Sequence, residues 1–222
     1  MSYPYNMTLQ DVKNVTHDTK LFRFDKPDGF TFSPGQATEI ALDQDAWRDE
    51  GRPFTMASQP QDEHLDFVIK IYPDHDGMTE QMADLSVGDK VLADDPFGAI
   101  TDHGAGLFLA AGAGITPFIP ILMKRAQEDD LSGCQLIFAN KTEQDIILRD
   151  KWEDLDELST VFVTDADDGL TDGPLGQDLL SDHIDTTQPV YICGPGSFVD
   201  DMRKAAKELG VKDDDIITED GW

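Results

Sequence analysis

Leu107-Phe108-Leu109-Ala110-Ala111-Gly112-Ala113-Gly114-Ile115-Thr116-Pro117 is an unbroken apolar run that opens into two glycines and closes on a proline. A short apolar run without alternation is the mark of a strand buried on both faces, as in a parallel sheet. Proline fits the first turn of a helix, where its missing N–H costs nothing. The stretch therefore predicts strand, tight turn, helix. Small residues at Gly112 and Gly114 let a phosphate approach the backbone, and the free amides of the following helix favour an anion there. Pro117 stands where the full Gly-x-Gly-x-x-Gly pattern has its third glycine, so the turn taken alone serves equally as a plain strand–helix connection.

Downstream the rhythm continues. Gln135–Ala139, Val161–Thr164 and Val190–Cys193 are further apolar runs. Helical stretches at Pro117–Gln127, Asp150–Leu158, Leu175–Ile184 and Ser197–Leu209 alternate with them. Such alternation predicts an α/β domain with a parallel sheet covered on both faces over residues 102–222. A second turn, Cys193-Gly194-Pro195-Gly196-Ser197, follows the last of these runs. Ligands of open α/β sheets bind outside the carboxyl ends of the strands, so Cys193 and Gly112 could face one crevice. Cys193 reads equally as a small buried hydrophobe.

Upstream the pattern is different. Met7–Val15, Lys20–Asp25, Ala37–Leu42, Pro53–Ala57, Leu65–Tyr72 and Lys90–Ala93 are short strand-like runs, separated by turn formers such as Lys26-Pro27-Asp28-Gly29 and Ser33-Pro34-Gly35. In the fifth run Leu65, Phe67, Ile69 and Ile71 alternate with Asp66, Val68, Lys70 and Tyr72. That period of two predicts a strand with one face on a core. Together the runs predict an antiparallel Greek-key β-barrel over residues 1–101. Within it, Arg52-Pro53-Phe54-Thr55-Met56-Ala57-Ser58 collects a guanidinium that can clamp phosphate, an aromatic that can stack on a flat ring, and hydroxyls that can bond a ring nitrogen. Taken alone it also fits an edge strand with one exposed arginine.

Charge narrows the partners. The chain has 45 acidic and 17 basic residues, a formal net charge of -28, spread along its length in clusters such as Asp94-Asp95 and Asp213-Asp214-Asp215. That field repels phosphate backbones and anionic lipids, so neither nucleic acid nor a membrane is expected as partner. The dispersed acidity resembles a halophile's solvated surface. Asp165 to Gly169 superficially suggests a calcium loop, but the following Asp172-Gly173 does not restore an EF-hand spacing, and no metal site is expected. Two cysteines, Cys134 and Cys193, are too few for a disulfide framework or an iron–sulfur cluster. The opening Met1-Ser2-Tyr3-Pro4-Tyr5 has no basic region followed by an apolar stretch, which points to a cytoplasmic location.

The three signals in order, Arg-x-Phe-Thr-x-x-Ser, Gly-Ala-Gly-Ile-Thr-Pro and Cys-Gly-Pro, resemble the ferredoxin–NADP reductase superfamily over essentially the whole chain. Pro34-Gly35-Gln36, Gly77-Met78-Thr79, Val87-Gly88-Asp89 and Pro96-Phe97-Gly98 extend the resemblance. It implies a flavoenzyme carrying FAD, FMN being the lesser alternative, that exchanges electrons with NADH or NADPH. The acceptor it implies is a small redox protein, ferredoxin or flavodoxin, or an oxygenase component. An electron-transfer or regulatory flavin- or nucleotide-binding subunit of a larger complex, with little activity alone, is the alternative. It further implies that Arg52 contacts the flavin pyrophosphate, Phe54 stacks on the ring and Thr55 approaches flavin N5, with Ser58 completing the motif. Ile69, Lys70 and Ile71 would contact the flavin through their backbone, and amides of Gly77, Met78 and Thr79 would hold phosphates. Gly112, Gly114, Thr116, Cys193, Gly194 and Pro195 would bind the dinucleotide, with Thr55 and Cys193 nearest the reacting rings. Trp222 would cover the flavin as a terminal aromatic. NADH is expected over NADPH: after the second α/β strand only Lys141 and Arg149 are basic, and the stretch after the third, Asp165 to Gly169, offers carboxylates alone.

Overall fold

A computed structural model describes residues 3–73, 75–165 and 175–219. Two compact units divide between Thr101 and Asp102.

The first unit holds strands β1 (Tyr5–Asn14), β2 (Thr19–Asp25), β3 (Ala37–Leu42), β4 (Arg52–Thr55), β5 (His64–Lys70) and β6 (Lys90–Ala93), with helix α1 (Met78–Ala83) between the last two. They form a nearly closed antiparallel sheet in the order β4-β3-β6-β1-β2-β5. The end strands meet just past β4, where the Ala57 amide donates to the Asp66 carbonyl at 2.7 Å. The same residue anchors the neighbouring strand, since its carboxylate accepts two 2.8 Å hydrogen bonds from Arg23, its register partner on β2. Alternation sends Leu65, Phe67 and Ile69 into the barrel with Met7, Leu9, Phe22, Phe24, Met56 and Val91, and α1 plugs one end with Met78 and Met82.

The second unit is a parallel sheet of β7 (Leu107–Ala111), β8 (Gln135–Asn140), β9 (Ser159–Thr164), β10 (Val190–Cys193) and β11 (Ile216–Thr218), ordered β11-β10-β7-β8-β9. One face carries Leu109, Ile137, Val163 and Ile192 against α4 (Gln177–His183) and α5 (Gly196–Glu208). The other face presents Phe108 stacked on Tyr191 at 4.2 Å and 4°, with Phe118 of α2 (Phe118–Gln127) edge-on to both. The fifth strand, β11, is only three residues between 3-10 and irregular backbone, too short for an apolar run to announce it. Helix α3 spans Arg149–Glu153 rather than Asp150–Leu158. Glu153, Asp154, Asp156 and Glu157 place negative charge where a helix C-terminus disfavours it, so the helix stops and Leu158 closes a separate turn on Leu155. Among the described residues no helix is long and apolar enough to cross a membrane.

Candidate functional site

The barrel carries a solvent-open groove of about 460 Å³, lined by Arg52, Pro53, Phe54, Tyr72, His75, Gly77, Met78 and Thr79. Met56 is buried in the barrel core, Phe54 leans half-buried on that core at the rim, and Arg52 projects outward, 55% exposed. The Arg52 guanidinium donates to the Gly51 carbonyl at 2.8 Å and lies 3.5 Å from the Glu50 carboxylate. Among the described residues that line it none is acidic, in a chain whose acids outnumber its bases by more than two to one; Asp74, between Tyr72 and His75 in the chain, lies outside the described residues. Apolar ring surface, one guanidinium and the first backbone amides of α1 are a donor set suited to a flat ring joined to a phosphate. The groove therefore fits a flavin nucleotide.

Several predicted residues stand elsewhere. Thr55 ends β4, half-buried and outside the groove lining. Ser58 is buried, and its hydroxyl accepts the Asp66 amide at 3.1 Å. It closes the barrel beside the Ala57–Asp66 bond. Ile69 faces the core, the Lys70 ammonium pairs with Asp18 at 2.7 Å, and the Ile71 amide donates to the Asp18 carbonyl at 2.7 Å. Of that stretch, the Ile71 N–H is thus already engaged. Trp222 lies outside the described residues, as does most of the acidic stretch after β9. The structure adds two residues that motif reading passed over. Tyr72 and His75 stand edge to face, ring centroids 6.1 Å apart at 86°, on the groove wall. Tyr72, 47% exposed, is one of the few large apolar side chains left in water, a signal that a surface pattern cannot show before the fold is known.

In the α/β unit the two glycine turns touch. β7 and β10 are adjacent parallel strands, with Ala110 opposite Cys193, so their carboxyl ends deliver both turns to one place. Gly114 packs so tightly there that a Cβ would lie 2.2 Å from the Cys193 carbonyl oxygen and 2.6 Å from the Gly194 Cα. Gly112 has φ +52, a left-handed conformation that glycine adopts freely, with open space where a side chain would be. The turn itself is a 3-10 helix, Gly112–Ile115, and the Thr116 hydroxyl donates to the Ala113 carbonyl at 3.0 Å. Pro195 caps the thirteen-residue α5. Burial pushes the Cys193 thiol up to about 12, with the Glu219 carboxylate adding to the effect, so the sulfur is a neutral thiol at ordinary pH and not a nucleophile. Two glycine-rich turns at the carboxyl ends of adjacent strands fit a dinucleotide backbone.

Arg149 is paired with carboxylates on its own surface. Its guanidinium bonds Glu143 and, at 2.7 Å, Glu153, and lies over the Phe162 ring.

Family models match both units: residues 6–101 match an oxidoreductase FAD-binding domain and residues 108–204 an oxidoreductase NAD-binding domain. The chain is 29% identical over 214 residues to NADH-cytochrome b5 reductase 2 of Mycosarcoma maydis, covering 85% of this chain and 61% of that protein. It is 30% identical over 244 residues to human NADH-cytochrome b5 reductase 1, covering 88% of this chain and 78% of that one. Among solved structures, the CS-b5R domains of human Ncb5or in an NAD+ form superpose with a TM-score of 0.83 at 27% identity, over 96% of this chain and 68% of that one. The chain thus spans less than two thirds of the fungal relative and more than three quarters of the human reductase.

Proposed function

The chain belongs to the ferredoxin–NADP reductase superfamily of FAD- and NAD-binding oxidoreductases, and from that premise we propose that it oxidises NADH and passes the electrons singly to a small redox protein. The barrel groove carries this reading, because Arg52, Phe54 and the start of α1 line it together and suit a flavin nucleotide. FAD, when bound, supplies the hydride acceptor and the step-down from two electrons to one.

The chain's own residues bind and orient. Arg52 would clamp a phosphate and Phe54 would cover one face of the ring, while the half-buried Thr55 at the end of β4 would set the position of flavin N5. Amides of Gly77, Met78 and Thr79 would complete the phosphate contacts. Gly112, Gly114 and Thr116 would cradle the dinucleotide, and the turn at Cys193, Gly194 and Pro195 would position the nicotinamide, the thiol remaining protonated throughout. Since the cofactors perform the redox chemistry, proximity and alignment are what these residues contribute, and no general base is required.

NADH is favoured because the one arginine near the end of β8 is held by Glu143 and Glu153, leaving the exposed Lys141 as the remaining base of that loop. The named relatives reduce cytochrome b5, which makes a haem protein of that kind the first acceptor to try; ferredoxin, flavodoxin or an oxygenase component are the others. Purified protein should be yellow, bleach on anaerobic addition of NADH, and show a higher kcat/KM with NADH than with NADPH at one fixed salt concentration. Colourless protein that takes up no added FAD would overturn the reading.

A further inference from the structure

We propose that His75 is a second, protonation-dependent ligand for the flavin's phosphates, so that this chain holds a phosphorylated flavin more tightly below neutral pH than above it. The inference rests on the reading of the barrel groove as the flavin site. Among the described lining residues, Arg52 and His75 are the two that can carry positive charge. A flavin pyrophosphate brings two negative charges into the field of a chain with net charge -28. Arg52 alone meets it with a charge partly offset by Glu50 at 3.5 Å.

His75 is placed for the second contact. It is exposed on the groove wall, its ring edge to face with that of Tyr72. The described groups around it include Tyr72 on the same wall, Arg52 among the groove residues, Asp76 next in the chain and Glu80 of α1, while Asp74, which precedes it, lies outside the described residues. The Glu80 carboxylate accepts the Asp76 amide at 2.8 Å and so caps this turn. Histidine gains its charge between about pH 8 and 5, and an imidazolium donates from both nitrogens. By linkage, an anion that binds the charged ring better raises its proton affinity in the complex. Binding is then strongest at low pH and weakens as pH rises through the value in the complex.

Apoprotein should be titrated with FAD and with riboflavin, which has no phosphate, following flavin fluorescence. The proteins compared are the wild type, His75→Gln, His75→Arg and Arg52→Ala. Between about pH 6 and about pH 8.5 the wild-type Kd for FAD should rise roughly five- to tenfold, the size of one charge-assisted contact, while that for riboflavin stays level. His75→Gln should bind FAD weakly at both values, and His75→Arg tightly at both. A wild-type FAD affinity that ignores pH, or a riboflavin affinity that follows it equally, overturns the role of His75, while weakened binding in Arg52→Ala leaves the groove standing. If neither Arg52→Ala nor His75→Gln alters FAD binding, the groove reading fails with it.

Discussion

Gly114 has no room for a side chain. A Cβ at 2.2 Å from the Cys193 carbonyl meets backbone rather than a flexible chain end, so one of the two turns must move. Gly114→Ala is expected to cost about 1–3 kcal/mol of stability, the usual penalty of overpacking, and to raise KM for NADH while flavin content stays normal. Unchanged melting and kinetics would show that the turns separate freely. Cys193→Ala is expected to keep its flavin and to be reduced by NADH roughly tenfold more slowly, because a misplaced ring loses alignment rather than a reacting group. Stopped-flow reduction at wild-type speed would return the thiol to a packing role. Its titration gives an independent check. The folded value, about 12, lies above the ordinary 9.0, so the unfolded chain loses this proton first. The stability linked to the thiol is whole below about pH 9 and is lost as pH climbs toward 12. Denaturation midpoints of Cys193→Ala should decline less steeply over that interval than those of the wild type.

At the scale of elements, a polar centre ties each unit together. In the barrel, Asp66 joins β5 to β2 through Arg23 and to the end of β4 through the Ala57 and Ser58 bonds, which converts an open sheet into a nearly closed one. In the α/β unit, Arg125 of α2 is 8% exposed and donates from Nε and Nη2 to Asp102 at 3.1 and 2.7 Å, and to Asp130 at 2.8 Å. Tyr191 adds a hydroxyl that donates to the Gly104 carbonyl and accepts the His103 amide, so the chain entering β7 is held from helix and sheet together. Asp102→Ala would leave the guanidinium buried with half its partners. A loss of about 2–3 kcal/mol is expected by urea denaturation, with Asp102→Asn retaining an acceptor and losing less. Equal stability of the alanine variant would mean that Asp130 and solvent suffice.

For the whole molecule the dominant fact is charge. A net -28 makes the compact state repel itself until counterions screen it, over a Debye length of roughly 10 Å at 0.1 M and 3 Å at 1 M salt. The melting midpoint should therefore climb from low salt to molar potassium chloride. A flat or falling midpoint would sink the resemblance to a halophile's surface. Screening should likewise speed reduction of an acidic acceptor, which low salt would hold away.

The sequence by itself determined the order of the units, the barrel strands and the parallel strands from β7 to β10, because burial period and turn chemistry are local and survive without a partner. The glycine turns and the Arg52–Phe54 motif were legible for the same reason. What only the tertiary structure decided was which of those residues meet. Ser58 and Thr55 sit in the same motif as Arg52 and Phe54, yet Ser58 turns into the barrel seam while Arg52 and Phe54 line the groove. Arg149 looks in sequence like a cation in reserve and is taken up by two carboxylates. Tyr72 and His75 lie beyond the last residue of β5 in a turn whose direction no periodicity encodes. Local pattern fixes which face of a strand is apolar; where a turn returns, and which charge it finds there, depends on contacts between residues far apart in the chain.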